Sequence, residues 1–330
     1  MCVIVIAGVV LLRQCRATGG NAYHRNEGMI FNTIYHFTYE AREDYQSQIE
    51  AELQRFDASL SPFNPSSIIS RFNRNDTAVV ADAWFETVFA RSKEVWRDTG
   101  GAFDPTVSPL INAWGFGFKT GAPVTPETVD SLWHLVGMER MELVDGRLHK
   151  DDPRMSLNFS AIAKGYAVDV VASFLREKGV KNFLVEIGGE VAAQGKNARG
   201  ETWRVGIDTP DEANVAGGEI EAVVMLDDAA LATSGNYRNF QVVNGRRVAH
   251  TIDPATGYPV QHSLLSATVL APDCMTADAY ATAFMVLGVD KSLEIAARNP
   301  GIEAYLIYAV DSVTTSVAMT PGMKQYLFGE

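Results

Sequence analysis

A loop of small residues near the middle of the chain carries one lysine at the point where a helix should begin. The loop is SAIAKG, residues 160–165, within LNFSAIAKGYAVDVVASFLREKGVKNFLVEIGGE, residues 157–190. The N–H groups and the dipole at a helix start attract anions, and Lys164 adds a full positive charge. The pattern therefore indicates a phosphate site. The alternative is that Gly165 and the alanines only let the helix pack closely on a sheet.

A carboxylate and a hydroxyl lie four residues apart in the last third of the chain. Asp278 and Thr282 belong to residues 276–287, TADAYATAFMVL, for which we predict a helix with Thr276 as N-cap. This spacing puts both side chains on one face of the helix, and such hard oxygen donors suit Mg²⁺. The alternative is that Asp278 only complements the positive end of the helix dipole.

Two further segments carry groups with chemical potential. Asp104 lies between Phe103 and Pro105, and its alternative role is a turn cap. The loop NAWGFG, residues 112–117, is aromatic and rich in glycine, which is typical of a site for a flat ligand. Residues 248–260, VAHTIDPATGYPV, put His250 and Asp253 on either side of a turn. An imidazole and a carboxylate are the usual groups for moving a proton.

The elements that must position these residues alternate between helices and strands at irregular spacing. Apolar periodicity predicts strands over residues 31–39, 155–159, 182–187, 202–207, 219–226 and 266–271. It predicts helices over residues 43–56, 68–72, 84–99, 125–136, 164–178 and 276–287. Asp145-Gly146 and Asn244-Gly245 are typical of hairpin turns, and residues 210–218 of a surface loop. The pattern favours an α+β fold with largely antiparallel sheets over a doubly wound parallel sheet.

Composition limits the class of ligand. The chain has 330 residues, 47% of them hydrophobic, and a formal net charge of −12. A protein that binds nucleic acid needs a basic face, and the sequence has no cluster of lysine or arginine. We therefore expect no nucleic-acid partner. An anionic small ligand would need a local cation, which a bound metal can supply.

The N-terminal twelve residues, MCVIVIAGVVLL, are continuously apolar. They are too short for a membrane span of about 20 residues, but they suit the apolar core of a secretion signal. Leu12 lies three residues before Cys15, as in a bacterial lipoprotein signal, although Gln14 replaces the usual small residue. We expect a leader and polar linker over residues 1–28, a folded domain over residues 29–330, and a lipid anchor in the bacterial cell envelope, facing the periplasm or the exterior. The alternatives are an uncleaved anchor or a misassigned start.

Seven ordered blocks resemble one family. They are SPFNPSSIISRFN, GGAFDPTVSPLINAWGFG, LNFSAIAKGYAVDVVASFL, FLVEIGGE, ATSGNYRNF, HTIDPATGYPV and APDCMTADAYATAFMVLG. On these blocks the chain resembles the ApbE family of flavin transferases, from about residue 31 to the C-terminal region. The resemblance implies one compact α+β catalytic unit of two interlocked lobes with an FAD site between them.

The resemblance also implies an activity and a set of site residues. The implied enzyme uses Mg²⁺ to cleave the pyrophosphate of FAD, moves FMN onto a threonine or serine hydroxyl of an acceptor flavoprotein, and releases AMP. Asp278, Thr282 and the Ala161 carbonyl fall at metal-ligand positions, with His250 as the first candidate for general base and Asp253 as the second. Positions that line the FAD site are matched by Phe31, Phe63, Ala102, Phe103, Asp104, Asn158, Lys164 and His250.

The first block departs from the family pattern, and two other functions stay open. The family often has Met-Gly-Thr where this chain has Phe31-Asn32-Thr33, and some members have Asp where it has Asn158. An FAD pyrophosphatase would use the same metal site with water in place of the acceptor hydroxyl. A flavin-binding envelope protein would hold FAD without chemistry, but mere binding would not require Asp278, Thr282 and Lys164 together.

Overall fold

The structure is a computed structural model that describes residues 20–116, 124–210, 218–236, 240–243, 246–311 and 314–329. Its helices are α1 (Gln46–Leu60), α2 (Ile68–Asn73), α3 (Ala83–Asp98), α4 (Ser108–Ala113), α5 (Pro126–Trp133), α6 (Ala163–Glu177), α7 (Cys274–Leu287) and α8 (Val289–Arg298). Its strands are β1 (Ala22–Ile30), β2 (Thr33–Ala41), β3 (Met141–Val144), β4 (Arg147–Lys150), β5 (Phe183–Ile187), β6 (Glu190–Gln194), β7 (Trp203–Asp208), β8 (Ile220–Leu226), β9 (Ala229–Gly235), β10 (Phe240–Val243), β11 (Arg246–Ala249), β12 (Leu264–Ala271), β13 (Glu303–Ala309) and β14 (Thr315–Met319).

One eight-stranded sheet runs through the described part of the chain. Its order is β1-β2-β5-β6-β9-β12-β13-β14, and each neighbouring pair is antiparallel. Each strand in this order follows its neighbour in sequence, so the helices and short hairpins are insertions between sheet strands. The predicted α+β fold with antiparallel pairing is confirmed.

Two apolar cores lie on opposite faces of this sheet. Along β9, Ala230 and Ala232 belong to the larger core, whereas Leu231 between them belongs to the smaller one. Since successive side chains of a strand point to opposite faces, the alternation separates the two cores. The larger core takes buried residues of α1, α3, α6 and α7, and the smaller one is covered by the β7–β8 hairpin. The two halves of the molecule therefore share one sheet.

A glycine sets how closely α6 crosses α7. A Cβ atom on Gly165 would lie 2.2 Å from the backbone oxygen of Cys274 and 2.8 Å from the Cβ of Asp278. Any side chain there would push the helices apart. The close packing predicted for Gly165 is observed, but against helix α7 and not against a sheet, and it brings the start of α6 against Asp278.

The start of the fold differs from the sequence prediction. The polar linker was predicted to extend to residue 28, but residues 22–28 belong to β1, which pairs along its whole length with β2. Sequence periodicity did not predict this strand because its side chains are mostly polar. Polar side chains are compatible with an edge strand, which can face water on one side. The strand predicted to begin at Phe31 begins at Thr33, since Phe31 and Asn32, both with positive φ, form the two-residue turn between the strands.

Two other local predictions are wrong. Residues 155–159 form no strand. The side chain of Asn73 bonds to both the N–H and the carbonyl of Leu157 and so takes the place of a neighbouring strand. The N-cap of α7 is Asp273, whose carboxylate accepts the N–H of Thr276; the helix therefore begins two residues earlier than predicted.

Several predictions are confirmed, and some lie outside the described residues. Asp145 and Gly146, both with positive φ, join β3 to β4. The helix predicted over residues 125–136 is α5, which Thr125 caps by accepting the N–H of Thr128. The leader over residues 1–19, most of the loop over residues 210–218 and the Asn244-Gly245 turn lie outside the described residues. Within the part that is described, no helix combines the length and apolarity needed to cross a membrane.

Candidate active site

A cavity of about 620 Å³ opens between the crossing of α6 and α7 and two loops. Its volume falls in the range of small-molecule and cofactor sites, roughly 300–1,000 Å³. We call Lys164, Gly165, Asp278 and Thr282 the helix wall, and residues 102–116 with 250–258 the loop wall. Most residues predicted to form the site line this cavity; they are Phe63, Ala102, Phe103, Asp104, Asn158, Ala161, Lys164, His250, Asp278 and Thr282.

In the helix wall, the Asp278 carboxylate of α7 contacts the N-terminus of α6. The N–H of Gly165 donates to Oδ2 of Asp278 over 3.0 Å. Gly165 is the third residue of α6, and the N–H groups of the first helical turn have no carbonyl partner within the helix. The anion that the start of α6 holds is therefore the protein's own Asp278. Burial raises the pKa of this carboxyl, whereas the nearby Lys164 and the Gly165 N–H act to lower it.

Oxygen donors gather next to Asp278. Thr282 lies one turn further along α7, and its hydroxyl is 3.4 Å from that of Ser234. Ala161 lines the same cavity. A carboxylate, a hydroxyl and a loop carbonyl form a donor set that suits a hard divalent cation, so these residues fit Mg²⁺. Within the described residues, no group of three or more His, Cys, Asp or Glu side chains forms a metal cluster, so a site here would depend on neutral oxygens.

Lys164 is held by an acidic residue that sequence reasoning missed. Its ammonium forms an ion pair with Oε1 of Glu190, whose side chain is only 3% exposed. Burial alone would lower the pKa of Lys164, but the negative charges of Glu190 and Asp278 outweigh it and raise the pKa above its ordinary value. For Glu190, burial raises the pKa, and the attraction to Lys164 offsets this only in part.

A signal for Glu190 was present in the sequence. It follows Gly188 and Gly189, which turn β5 into β6 with φ of 65° and 103°. An acidic residue after a paired-glycine turn is placed at the end of a sheet strand, where ligand sites often form. Gly188, Thr233 and Ser234 also line the cavity without having been predicted.

Asp104 lines the cavity but uses both oxygens inside the protein. Oδ1 accepts the N–H and the hydroxyl of Thr106, and Oδ2 accepts the N–H of Met138. Burial raises the pKa of this carboxyl, and these hydrogen bonds act against the rise. The turn-cap interpretation of Asp104 therefore describes its contacts. Asn158 also caps locally, since its Oδ1 accepts the N–H of Ser160.

The loop that carries His250 is fixed by two tryptophans. Nε1 of Trp114 donates to the carbonyl of Gly257, and Nε1 of Trp133 donates to that of Pro254, each over 2.9 Å. The loop rests on a small core of Leu110, Val129 and Ile252. His250 lines the cavity with Phe116, whose ring meets the imidazole edge to face at 6.4 Å.

Two of the predicted residues are not among those that line the cavity. Phe31 lies at the β1–β2 turn, where its ring packs on Phe56 at 5.6 Å. The carboxylate of Asp253 organises its own turn by accepting the N–H of Ala255 and the hydroxyl of Thr256. The structure brings the other predicted residues together and places these two apart.

Solved structures share this architecture. A structure titled flavin transferase ApbE from Vibrio cholerae has a TM-score of 0.83 and 32% identity, and the match covers 93% of this chain and 100% of that one. The flavinyl transferase ApbE from Pseudomonas stutzeri, solved in its apo form, has a TM-score of 0.81 and 33% identity over 93% and 97% of the two chains. The fold is that of the flavin transferases.

Sequence comparison gives the family. The model of the ApbE family matches residues 31–306, so the chain belongs to this family. A curated relative from Haemophilus influenzae, named FAD:protein FMN transferase, is 39% identical over 85% of each chain. A relative of the same name from Escherichia coli is 35% identical over 81% of this chain and 76% of its own.

Proposed function

We propose that this protein is an FAD:protein FMN transferase that moves FMN from FAD onto a threonine or serine hydroxyl of an acceptor flavoprotein and releases AMP. The observation that carries the proposal is one cavity that combines a partly buried lysine, oxygen donors for a cation and a histidine. The curated relatives that carry the name of this activity support it.

Mg²⁺ would be held by the Asp278 carboxylate, the Thr282 hydroxyl and the Ala161 carbonyl. When bound, it supplies positive charge that polarises the pyrophosphate and stabilises the leaving AMP. The protein contributes by holding these donors in one place, because phosphoryl transfer depends mainly on positioning and on charge stabilisation. The Gly165 N–H serves this purpose by fixing Asp278 at the start of α6.

His250 is the proposed general base. The acceptor hydroxyl oxygen forms a bond to the phosphorus of the FMN half, and the bond from this phosphorus to the bridging oxygen of AMP breaks. The hydroxyl proton passes to a ring nitrogen of His250. Asp253 was the second candidate, but its carboxylate is engaged in its own turn, so we assign the proton transfer to His250.

Lys164 and the aromatic lining would bind the dinucleotide. The Lys164 ammonium lines the cavity and would face the pyrophosphate, although Glu190 offsets part of its charge. Phe63, 56% exposed at the cavity, offers an apolar face to a flat ring. Phe103 is buried beside it and lends rigidity. We propose no ligand contact for Phe31, because it is not among the lining residues and its ring packs on Phe56.

The function is tested by incubating the full chain with FAD, Mg²⁺ and an acceptor protein, and analysing the products by mass spectrometry. We expect the acceptor to gain the mass of FMN and AMP to appear in equal amount. Free FMN with AMP and an unmodified acceptor would establish a hydrolase instead. FAD that stays intact under every metal condition would establish a binding protein.

The base is tested by His250→Asn, with His36→Asn as the control. His36 lies on β2 and pairs with Glu186 on the sheet surface. We expect His250→Asn to lower the transfer rate by about 10²–10⁴-fold and to remove the acidic limb of the pH profile, where protonation of the imidazole stops it from accepting a proton. The control should keep the rate. A His250→Asn variant with the full rate at neutral pH would show that another group takes the proton.

We further propose that the chain is exported and anchored to the cell envelope by a lipid on Cys15. The support is the apolar run that precedes Cys15 in the sequence. Fractionation of expressing bacteria tests this proposal. Cys15→Ala should move the protein from the membrane fraction to the soluble fraction, whereas unchanged membrane association would contradict lipidation at this residue.

A further inference from the structure

Glu190 carries a buried carboxylate oxygen that lacks a hydrogen bond. Oε1 pairs with Lys164, but Oε2 accepts none from the described part of the chain. Leaving such a group buried without a partner destabilises the protein, and more so when the group is charged. Since this oxygen is buried without a partner, we expect a cation or a hydrogen-bond donor to approach it when the ligand binds.

The charges around this oxygen are mostly negative. The ionisable side chains that line the cavity include one ammonium, Lys164, and three carboxylates, those of Asp104, Glu190 and Asp278. Lys164 is already paired with Glu190. The pyrophosphate of FAD is itself an anion, so a metal-free dinucleotide would meet like charges in a partly buried site, where repulsion is strong.

We propose that Glu190 makes FAD binding depend on the divalent cation, because its carboxylate occupies Lys164 and keeps the cavity too negative for metal-free FAD. The inference rests on the proposed function, since it takes FAD as the ligand. A cation held by Asp278, Thr282 and Ala161 would offset the excess negative charge. Glu190 is thus a positioning residue that acts through Lys164 and through its charge.

Binding of FAD to the full chain tests the proposal without any turnover. FAD fluorescence is titrated without acceptor, at about pH 8, where carboxyl groups are ionised, once in excess Mg²⁺ and once in EDTA. The readout is the ratio of the two dissociation constants, EDTA over Mg²⁺, taken before any hydrolysis. Binding of Mg²⁺ alone is measured by calorimetry.

We expect Glu190→Gln to bind FAD in EDTA about tenfold more tightly than the wild type, and Mg²⁺ alone about tenfold more weakly, so that the ratio falls. Glu40→Gln is the matched control. Glu40 lies in the same sheet, bonds to Asn182 and does not line the cavity. Its ratio should equal that of the wild type.

A double variant guards against misfolding of the single one. Lys164→Met with Glu190→Gln removes the ion pair as a unit and leaves the sum of charges unchanged, which buried pairs tolerate better than loss of one partner. We expect its ratio to return to within about threefold of the wild type. A return of the ratio supports the charge argument, and a ratio as low as in Glu190→Gln overturns it.

Other outcomes separate this inference from the proposed function. A Glu190→Gln ratio equal to the wild-type ratio, or weaker FAD binding in EDTA, overturns the role of Glu190 while the function stands. A wild-type protein that binds no FAD under either condition overturns both the function and this inference. Transfer to an acceptor, measured separately, reports on the function alone.

Discussion

The helix wall and the loop wall meet the same cavity but are built in different ways. In the helix wall, α6 crosses α7 so closely that Gly165 has no room for a Cβ, and Asp278 is 3% exposed. The loop wall rests on a small core and is tied down by two indole N–H bonds. The helix wall, which carries Lys164 and Asp278, is fixed by backbone packing. The loop wall, which carries His250 and is proposed to face the acceptor, is fixed by side chains.

The comparison predicts its largest effect at the helix crossing. Gly165→Ala places a methyl group against the Cys274 carbonyl, and we expect a loss of about 3 kcal/mol in the free energy of unfolding and loss of transfer. Urea denaturation followed by circular dichroism measures the stability. Gly20→Ala, where a Cβ meets nothing within 4 Å, is the control. Wild-type stability in Gly165→Ala would mean that the helices can separate freely.

Asp278→Asn should affect chemistry more than folding. The amide keeps the shape and can still accept the Gly165 N–H, but it lacks the charge for the cation. We expect transfer to fall by more than about a hundredfold while the melting temperature stays within a few degrees. Asp290→Asn, on the exposed start of α8, should change neither. Retained activity in Asp278→Asn would exclude this residue as a metal ligand.

Asp169, which contacts the start of α7, should make the stability of the helix crossing depend on pH. Burial raises the pKa of Asp169 to about 7, although it accepts the N–H groups of Cys274 and Met275 at the start of α7. Between about pH 4 and pH 7 the folded state holds a proton that the unfolded state has released, so stability falls as pH rises.

The slope from this residue reaches about 1 kcal/mol per pH unit. We expect Asp169→Asn to flatten the stability profile in this window, as measured by urea unfolding at several pH values. Asp290→Asn should leave the profile parallel to that of the wild type. Parallel profiles for Asp169→Asn as well would rule out a raised pKa at this position.

The smallest effect is expected in the loop wall. Trp133→Phe removes one hydrogen bond to Pro254, worth about 1 kcal/mol, and should lower transfer about threefold to tenfold by loosening the His250 loop. Trp203→Phe is the matched control, because Nε1 of Trp203 donates to Gln194 in the other core. It should lose similar stability but keep transfer. Equal effects on transfer would show that Trp133 acts only through stability.

Sequence patterns predicted elements better than their edges. The apolar periodicity of α6 and the Asp145-Gly146 turn are local properties, so they could be found without the structure. The β1 strand was missed because its residues are polar. It forms a strand nonetheless, since β2 provides its backbone hydrogen bonds and one of its faces is open to water. The segment around Leu157 was misjudged because Asn73, 84 positions away, satisfies its backbone.

Prediction of the site residues was limited in the same way: local motifs could be found, but contacts between distant side chains could not. Most of the residues predicted from motif order line the cavity, since family blocks carry their positions with them. It could not reveal that Glu190 pairs with Lys164 or that Asp253 is engaged in its own turn, because those facts depend on where side chains meet in space. Phe31 was predicted to line the site but lies in the β1–β2 turn. The position of that turn depends on how the two strands pair, which the sequence pattern did not show.

The contact between the start of α6 and α7 also bears on how the chain folds. Gly165 and Asp278 are 113 positions apart, and β5, β6, β9 and β12 must be placed between them. Chains dominated by such distant contacts fold slowly, in milliseconds to seconds for small domains. Under the proposed function, a chain that is still assembling its sheet has no half-formed cation site, and a cation would stabilise only the finished molecule.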